Sequence, residues 1–309
     1  MIKISIIVPC FDVARTINSC LNSIKNQQFP YLKPNLEVIC IVDGNYDDFL
    51  CIDMWRKKNI NNFNFELKTI ILRENHGAGY ARYVGYKESK GDFIAFLDTD
   101  DLWLSNKLEK QIKLFSDENI GLVYSNYLKY NKNSLLKKKK LASKKILPVG
   151  NVTDKLLNEY SVGMLTVVLR KKFLNIGTEI FNTSYDMLSD MDFILKYSKK
   201  FKFECVQEPL AIYRQHDDQL QNKNMEKQTK QMLKWYEDIK ISNEFGSEKK
   251  LELIKNRCKF FRIIDCINKK FYFKSFKEII LYPNNLDKLK LFLILITPQK
   301  IFNKIVNLR

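Results

Sequence analysis

The chain has 309 residues, with 52 Lys and Arg against 35 Asp and Glu for a net charge of +17, and is 45% hydrophobic and 13% aromatic. That hydrophobic share excludes a disordered chain and suffices for a sizeable core in one large or two smaller domains. Seven cysteines without a C-x-x-C pair fit free thiols in a reducing compartment.

The opening "MIKISIIVPCF" is too short for a signal segment and reads as a first strand, "KISIIVP" (3–9). Further apolar runs follow at 36–43 ("LEVICIVD"), 67–75 ("LKTIILREN") and 91–98 ("GDFIAFLD"). Apolar residues at nearly every position predict strands buried on both faces, as in a parallel sheet with helices either side. Between them, 14–27 places Ile17, Leu21 and Ile24 on one helical face, and 78–90 does the same with Tyr80, Ala81 and Val84. This alternation predicts an α/β nucleotide-binding layout, with ligands beyond the carboxyl ends of the strands, where Asp43 and Asp98 fall.

Past Trp103 a helix is expected over 105–117 with Ser105 as its N-cap, then a strand at "IGLVYSNYLKY". A lysine-rich loop follows; residues 129–145 hold eight lysines and no acid. A strand passing into a short helix (164–177), a helix (190–201) and a last strand (205–216) complete the expected order, and from about 220 the chain reads as basic helices. The expected division is 1–104 and 105–218 as two halves of one α/β domain, then 219–309 as a helical region.

The stretch "GDFIAFLDTDDLW" gathers Asp98, Asp100 and Asp101 at one strand end of a basic protein. Clustered carboxylates resist joint ionisation unless a cation or donors compensate. A hard divalent cation, completed by water and substrate phosphates, is one such partner. A polar turn capping the next helix is another reading of the same residues. An aspartyl-nucleophile phosphatase fits poorly, because Leu102 follows the acids and the motif sits on the fourth strand.

Four ordered motifs, "SIIVPCFD", "LEVICIVDGNYDD", "NHGAGYARYVGYKESKG" and "FLDTDD", together resemble the family 2 glycosyltransferases. The matching positions are Pro9, Phe11, Asp43, Gly44, Asp47, Asn75, Gly77, Ala81, Arg82, Gly85, Asp98, Asp100 and Asp101. The resemblance implies a GT-A fold and an inverting transfer of a sugar from a nucleoside diphosphate to an acceptor hydroxyl of a surface glycan, free or lipid-linked. It implies that Asp43 contacts the nucleobase, with Pro9, Phe11 and Asp12 closing that side. Asp98 is implied near the ribose, Asp100 on a Mn²⁺ or Mg²⁺ ion, and Arg82 on the acids or phosphates. Asp190, in "SDMDFILKY", matches the family's base, with Asp186 as a second choice. "YRQHDD" matches a closing Tyr-Arg-x-His, with His216 toward the metal and Arg214 toward the acids. Val42 replaces the usual first Asp of a pair, Asp12 an Asn, Tyr83 an Asn and Ser189 a Glu. The first two leave the nucleotide unspecified.

From Gln221 to Arg309 there are 20 Lys and Arg against 9 Asp and Glu, so +11 of the +17 lies there. The longest apolar run, "LFLILI" at 291–296, is short of the roughly 18–20 residues of a spanning helix. Basic segments with apolar clusters such as 289–296 suit an anionic membrane interface, which places the protein in the cytoplasm, peripheral to the membrane. No nucleic-acid motif accompanies the charge. A nucleotidyltransferase is the rival enzyme, though "VPCFDVART" lacks its basic phosphate-gripping loop, and a non-catalytic nucleotide-sugar-binding or membrane-scaffold protein is the rival outside catalysis.

Overall fold

The computed structural model describes residues 2–131, 139–174, 180–215, 225–283 and 286–297. The chain divides into two compact units, 1–216 and 217–309.

The first unit is built on one mixed sheet. Strands β1 (Lys3–Cys10), β2 (Asn35–Asp43), β3 (Glu66–Leu72) and β4 (Phe93–Phe96) are parallel, in the order β3-β2-β1-β4. Helices α1 (Ile17–Lys25), α2 (Tyr46–Asn59) and α3 (Ala78–Glu88) connect them. Alternation sorts the side chains. Ile4, Ile6, Val8, Val38, Cys40 and Val42 share a core with Ile17, Leu21 and Ile24 of α1, whereas Ile39 and Ile41 pack with Ala81 of α3. Each fully buried Ile, Leu or Val contributes about 1.5–3 kcal/mol, so these strands hold the sheet as its centre. β3, at the edge, is only half-buried.

The remaining strands extend the same sheet past β4. β8 (Val168–Arg170) runs antiparallel to β4 and to β6 (Ile120–Asn131), which is parallel to β9 (Lys202–Gln215). β5 (Leu102–Trp103) pairs antiparallel with β9, Leu102 opposite Ile212, and β7 (Lys140–Leu141) pairs with β6. The sheet therefore crosses the expected boundary at 104/105 without a break. Helix α4 (Lys107–Lys113) starts later than the sequence suggests: Asn106, not Ser105, is its N-cap, and no side chain caps it. β5 intervenes between the aspartates and this helix, so they do not cap it. Helices α5 (Thr153–Asn158) and α6 (Ser189–Ser198) complete the unit.

The second unit consists, among described residues, of α7 (Met225–Ser242), α8 (Glu248–Asn268), α9 (Tyr272–Ile280) and α10 (Leu286–Ile296). Ser247 caps α8, its side chain accepting from the Lys250 N–H. Phe260, Ile263, Ile264 and Ile267 of α8 bury against Ile279, Leu291 and Ile294. No described helix is long and apolar enough to cross a membrane.

Candidate active site

Two buried aspartates shape the loops at the carboxyl end of the parallel strands. Asp43, closing β2, is 3% exposed, and its two oxygens accept from the His76 and Gly77 N–H groups, each at 2.8 Å. Both Asp43 oxygens thereby hold the turn that opens α3. Gly44 follows at φ +83°, and a Cβ there would lie 2.4 Å from the Asn75 backbone nitrogen, so the β2 end and the β3–α3 loop meet backbone to backbone. Asp48, in the first turn of α2, is also buried and accepts from the Asp12 and Val13 N–H groups, each at 2.8 Å. Asp47, the motif position expected from sequence, is exposed. Burial pushes the Asp48 carboxyl up despite the two amides that favour its ionised form.

Pro9 is buried near the end of β1, and Phe11 is 56% exposed beyond the strand. Asp12 takes φ +54°, the left-handed region that Asn and Asp tolerate best. This accounts for Asp12 standing where the family has Asn: both residue types fit the turn, and its amide is the group Asp48 holds.

The acidic strand end is a tight turn in which the Asp101 N–H donates to the Asp98 carbonyl at 3.0 Å. Arg214, near the end of β9, fastens it. Its Nη2 donates to the Thr99 carbonyl (3.1 Å), its Nε to the Asp100 carbonyl, its Nη1 to Ser19 Oγ (2.9 Å) and its backbone N–H to Asp101 Oδ1 (3.1 Å). The expected pairing of Arg214 with acids is realised mostly through carbonyl groups. Asp101 is 2% exposed; burial, then the charges of Asp100 and Asp98, push its carboxyl well above the usual range. The same neighbourhood raises two phenols. Burial and Asp101 push Tyr127 up to about 12, and Tyr213 is raised by burial, then Asp101 and Asp100.

Arg82 is the cation that the aspartates call for. It projects from α3, is buried, and its Nη2 donates to Asp98 Oδ1 at 2.6 Å. Its Nε has no hydrogen-bond partner among the described residues. Burial alone would weaken the guanidinium charge, but Asp98, Asp190 and Asp100 outweigh it and hold Arg82 firmly protonated. The sequence motifs on α3, β4 and α6 therefore converge on one cluster.

Asp190 enters that cluster from the first turn of α6, partly accessible, with its Oδ1 accepting its neighbour Met191's N–H at 2.7 Å. Burial pushes its carboxyl up; Arg82 pulls it down, and Asp98 adds to the rise. Asp192, two residues on, is buried in an ion pair with Lys196 at 2.9 Å. Asp186 lies at the start of α3: a Cβ on Gly77, its N-cap, would come within 2.7 Å of its Oδ1. His76 is an exposed loop residue whose ring packs on Tyr80 at 4.7 Å. His216, expected toward a metal, lies outside the described residues.

Among the described residues no three His, Cys, Asp or Glu side chains form a group that could hold a metal ion by themselves. Asp98 is engaged by Arg82 and partly accessible, Asp101 is buried on the Arg214 amide, and Asp100 is half-buried in the turn. One carboxylate fits a divalent cation that takes its other ligands from water and substrate phosphates, and does not fit a closed protein cage.

The family model for glycosyl transferase family 2 matches residues 5–177, more than half of the chain, which therefore belongs to that family. The chain is 33% identical over 172 residues to the Escherichia coli UDP-Glc:alpha-D-GlcNAc-diphosphoundecaprenol beta-1,3-glucosyltransferase WfgD, covering 56% of this chain and 62% of that protein. It thus spans less than two thirds of this relative. Among solved structures, S. aureus TarS 1–349 in complex with UDP superposes with a TM-score of 0.55 at 20% identity, over 75% of this chain and 65% of that one. The Pyrobaculum calidifontis mannosyltransferase PcManGT, in complex with GDP-Man and Mn²⁺, superposes with a TM-score of 0.60 at 12% identity, over 99% of this chain and 84% of that one. The fold is GT-A, with added C-terminal helices.

Proposed function

We propose that this chain is an inverting sugar transferase that moves a sugar from a nucleoside diphosphate, a UDP-sugar first among candidates, to a hydroxyl of a lipid-linked surface glycan. The observation that carries it is Asp190: a partly accessible carboxylate of raised pKa, beside a buried arginine and the strand-end acids. Asp190 takes the acceptor proton while the acceptor oxygen bonds to the anomeric carbon, and the bond from that carbon to the diphosphate oxygen breaks with its electron pair on the diphosphate. A single displacement from the opposite face inverts the anomeric centre. Asp12, Phe11 and Pro9 line the nucleotide side, with Asp48 and Asp43 fixing the loops around it, and Arg82 keeps Asp98 in place.

Asp100 would hold a Mn²⁺ or Mg²⁺ ion shared with the diphosphate, with His216 as a further ligand, and the ion would offset charge on the leaving group. Donor chemistry in the UDP-bound TarS structure and in WfgD's named reaction supports UDP and a lipid-linked acceptor. An acceptor of that kind, together with the basic second unit, supports peripheral attachment to the cytoplasmic face of an anionic membrane. The test is slow hydrolysis of a panel of UDP- and GDP-sugars with and without Mn²⁺, which needs no acceptor. Hydrolysis of one donor, stimulated by Mn²⁺, is expected; no hydrolysis of any donor under either condition defeats the proposal.

A further inference from the structure

The second unit spends only part of its apolar surface on its own core. On α9, Ser275 and Ile279 face inward, while Phe273 (73% exposed), Phe276 and Ile280 recur at the i, i+3, i+7 spacing of one outer stripe. On α10, Leu291 and Ile294 are buried, and Leu289, Leu293 and Ile296 (74% exposed) form a second stripe on the opposite side. The run 289–296, read from sequence as suited to a membrane interface, is therefore shared between core and surface. Phe276 meets Phe292 ring to ring at 6.2 Å, and Phe292 stands three residues after Leu289 and four before Ile296, on their side of α10. The two stripes thus adjoin.

We infer that this double stripe docks into the headgroup region of an anionic lipid bilayer. The inference rests on the reading of a membrane-borne acceptor and names the element that reaches the membrane. Residues 269–290 hold six lysines and two acids. Lys274 and Lys277 are exposed beside the stripe, and Lys277 Nζ sits 4.5 Å over the Phe273 ring, at the rim of the apolar surface. A second copy of the chain would bring the same lysines against these, at a Coulomb cost. Nucleic acid would satisfy the lysines and leave the aliphatic side chains without a partner. An anionic bilayer interface satisfies both: rings and aliphatic chains enter the headgroup boundary, and lysines remain at the phosphate level.

The experiment is sedimentation of the full chain with phosphatidylcholine vesicles, with and without phosphatidylglycerol, alongside donor hydrolysis and circular dichroism. The wild type should sediment only with phosphatidylglycerol present. Phe273→Ser/Phe276→Ser should weaken that binding at least about tenfold with donor hydrolysis unchanged. Lys274→Glu/Lys277→Glu, which keeps the stripe and so guards against misfolding of the serine pair, should weaken it by a similar factor. Wild-type binding by both variants overturns the inference, as does equal binding to both vesicle types. So does a wild-type dimer that the serine pair turns into a monomer of unchanged vesicle affinity. Normal vesicle behaviour with no donor hydrolysis in any protein would sink the transferase reading and leave the docking surface standing.

Discussion

Asp43 and Asp48 on one side of the site, and Asp98, Asp100 and Asp190 on the other, are the same side chain put to two uses. In the first pair every oxygen meets a backbone amide and the residues are almost wholly buried. In the second group the carboxylates face a guanidinium and remain partly accessible. A carboxylate with each oxygen on a backbone amide has its geometry fixed. One balanced by a guanidinium and partly open to solvent can exchange partners. The first kind builds loops; the second is the kind that the proposed transfer uses.

The contrast breaks most visibly at Asp190. Asp190→Asn keeps the shape but cannot take a proton, so turnover should drop by roughly 10²-fold or more with donor affinity and melting temperature near wild type. Steady-state kinetics and calorimetry on the same samples check this. Full activity in the variant would move the base elsewhere, Asp186 first.

Asp100→Ala should remove the Mn²⁺-dependent part of nucleoside diphosphate affinity and leave the fold intact, because Arg214 holds this turn through the Thr99 and Asp100 carbonyls, which the substitution keeps. Titration calorimetry with and without Mn²⁺ reads it; an unchanged metal increment counts against the assignment.

On the loop-building side, Asp48→Ala leaves the Asp12 and Val13 amides, the second of them buried, without their acceptor and should cost about 1–3 kcal/mol in stability. It should also raise the donor KM more than it lowers kcat. Asp47→Ala, one residue away but exposed, should cost about 0.5 kcal/mol or less. Urea melts of the two variants side by side sharpen the comparison, and equal losses would dissolve it.

Lys107 offers a small effect of the opposite sign. Its ammonium is fully buried over the Trp103 ring at 4.1 Å, with no hydrogen-bond partner among the described residues. Burial pushes its pKa well below the ordinary 10.5. The unfolded chain then binds the proton that the folded one gives up. Lysine therefore makes stability climb as pH rises from that depressed value toward 10.5. Lys107→Met should stabilise by about 1 kcal/mol at neutral pH and flatten that climb, as thermal melts across pH would show.

How far the site could be read in advance differs by residue. The first four strands were legible because each is apolar along its length, which only a doubly covered strand tolerates. Arg82, Asp98 and Asp190 were legible as a set because spaced motifs, each weak alone, occurred in the family's order. Asp48 was not, since "NYDD" offers two adjacent acids and the start of α2 at Tyr46 decides which one turns inward. Arg214's hold on the acidic turn was half legible: the motif named the residue, but its carbonyl partners arise only when β9 pairs with β5, where Leu102 meets Ile212 from 110 residues away. Lys107 gave no signal, because a lysine in "SNKLEKQIK" reads as solvated helix until its helix packs against Trp103.

Local pattern by itself determined the α/β alternation, the strand-end placement of Asp43 and Asp98, the acidic turn and the basic helical second unit, because periodicity and charge are properties of neighbouring residues. Tertiary structure alone decided which aspartates are sealed on amides and which stay open around Arg82. It also decided which half of the apolar 289–296 run goes into the core. Those outcomes depend on burial and on partners brought from distant strands, and free energies of burial and pairing exist only once the chain has closed on itself.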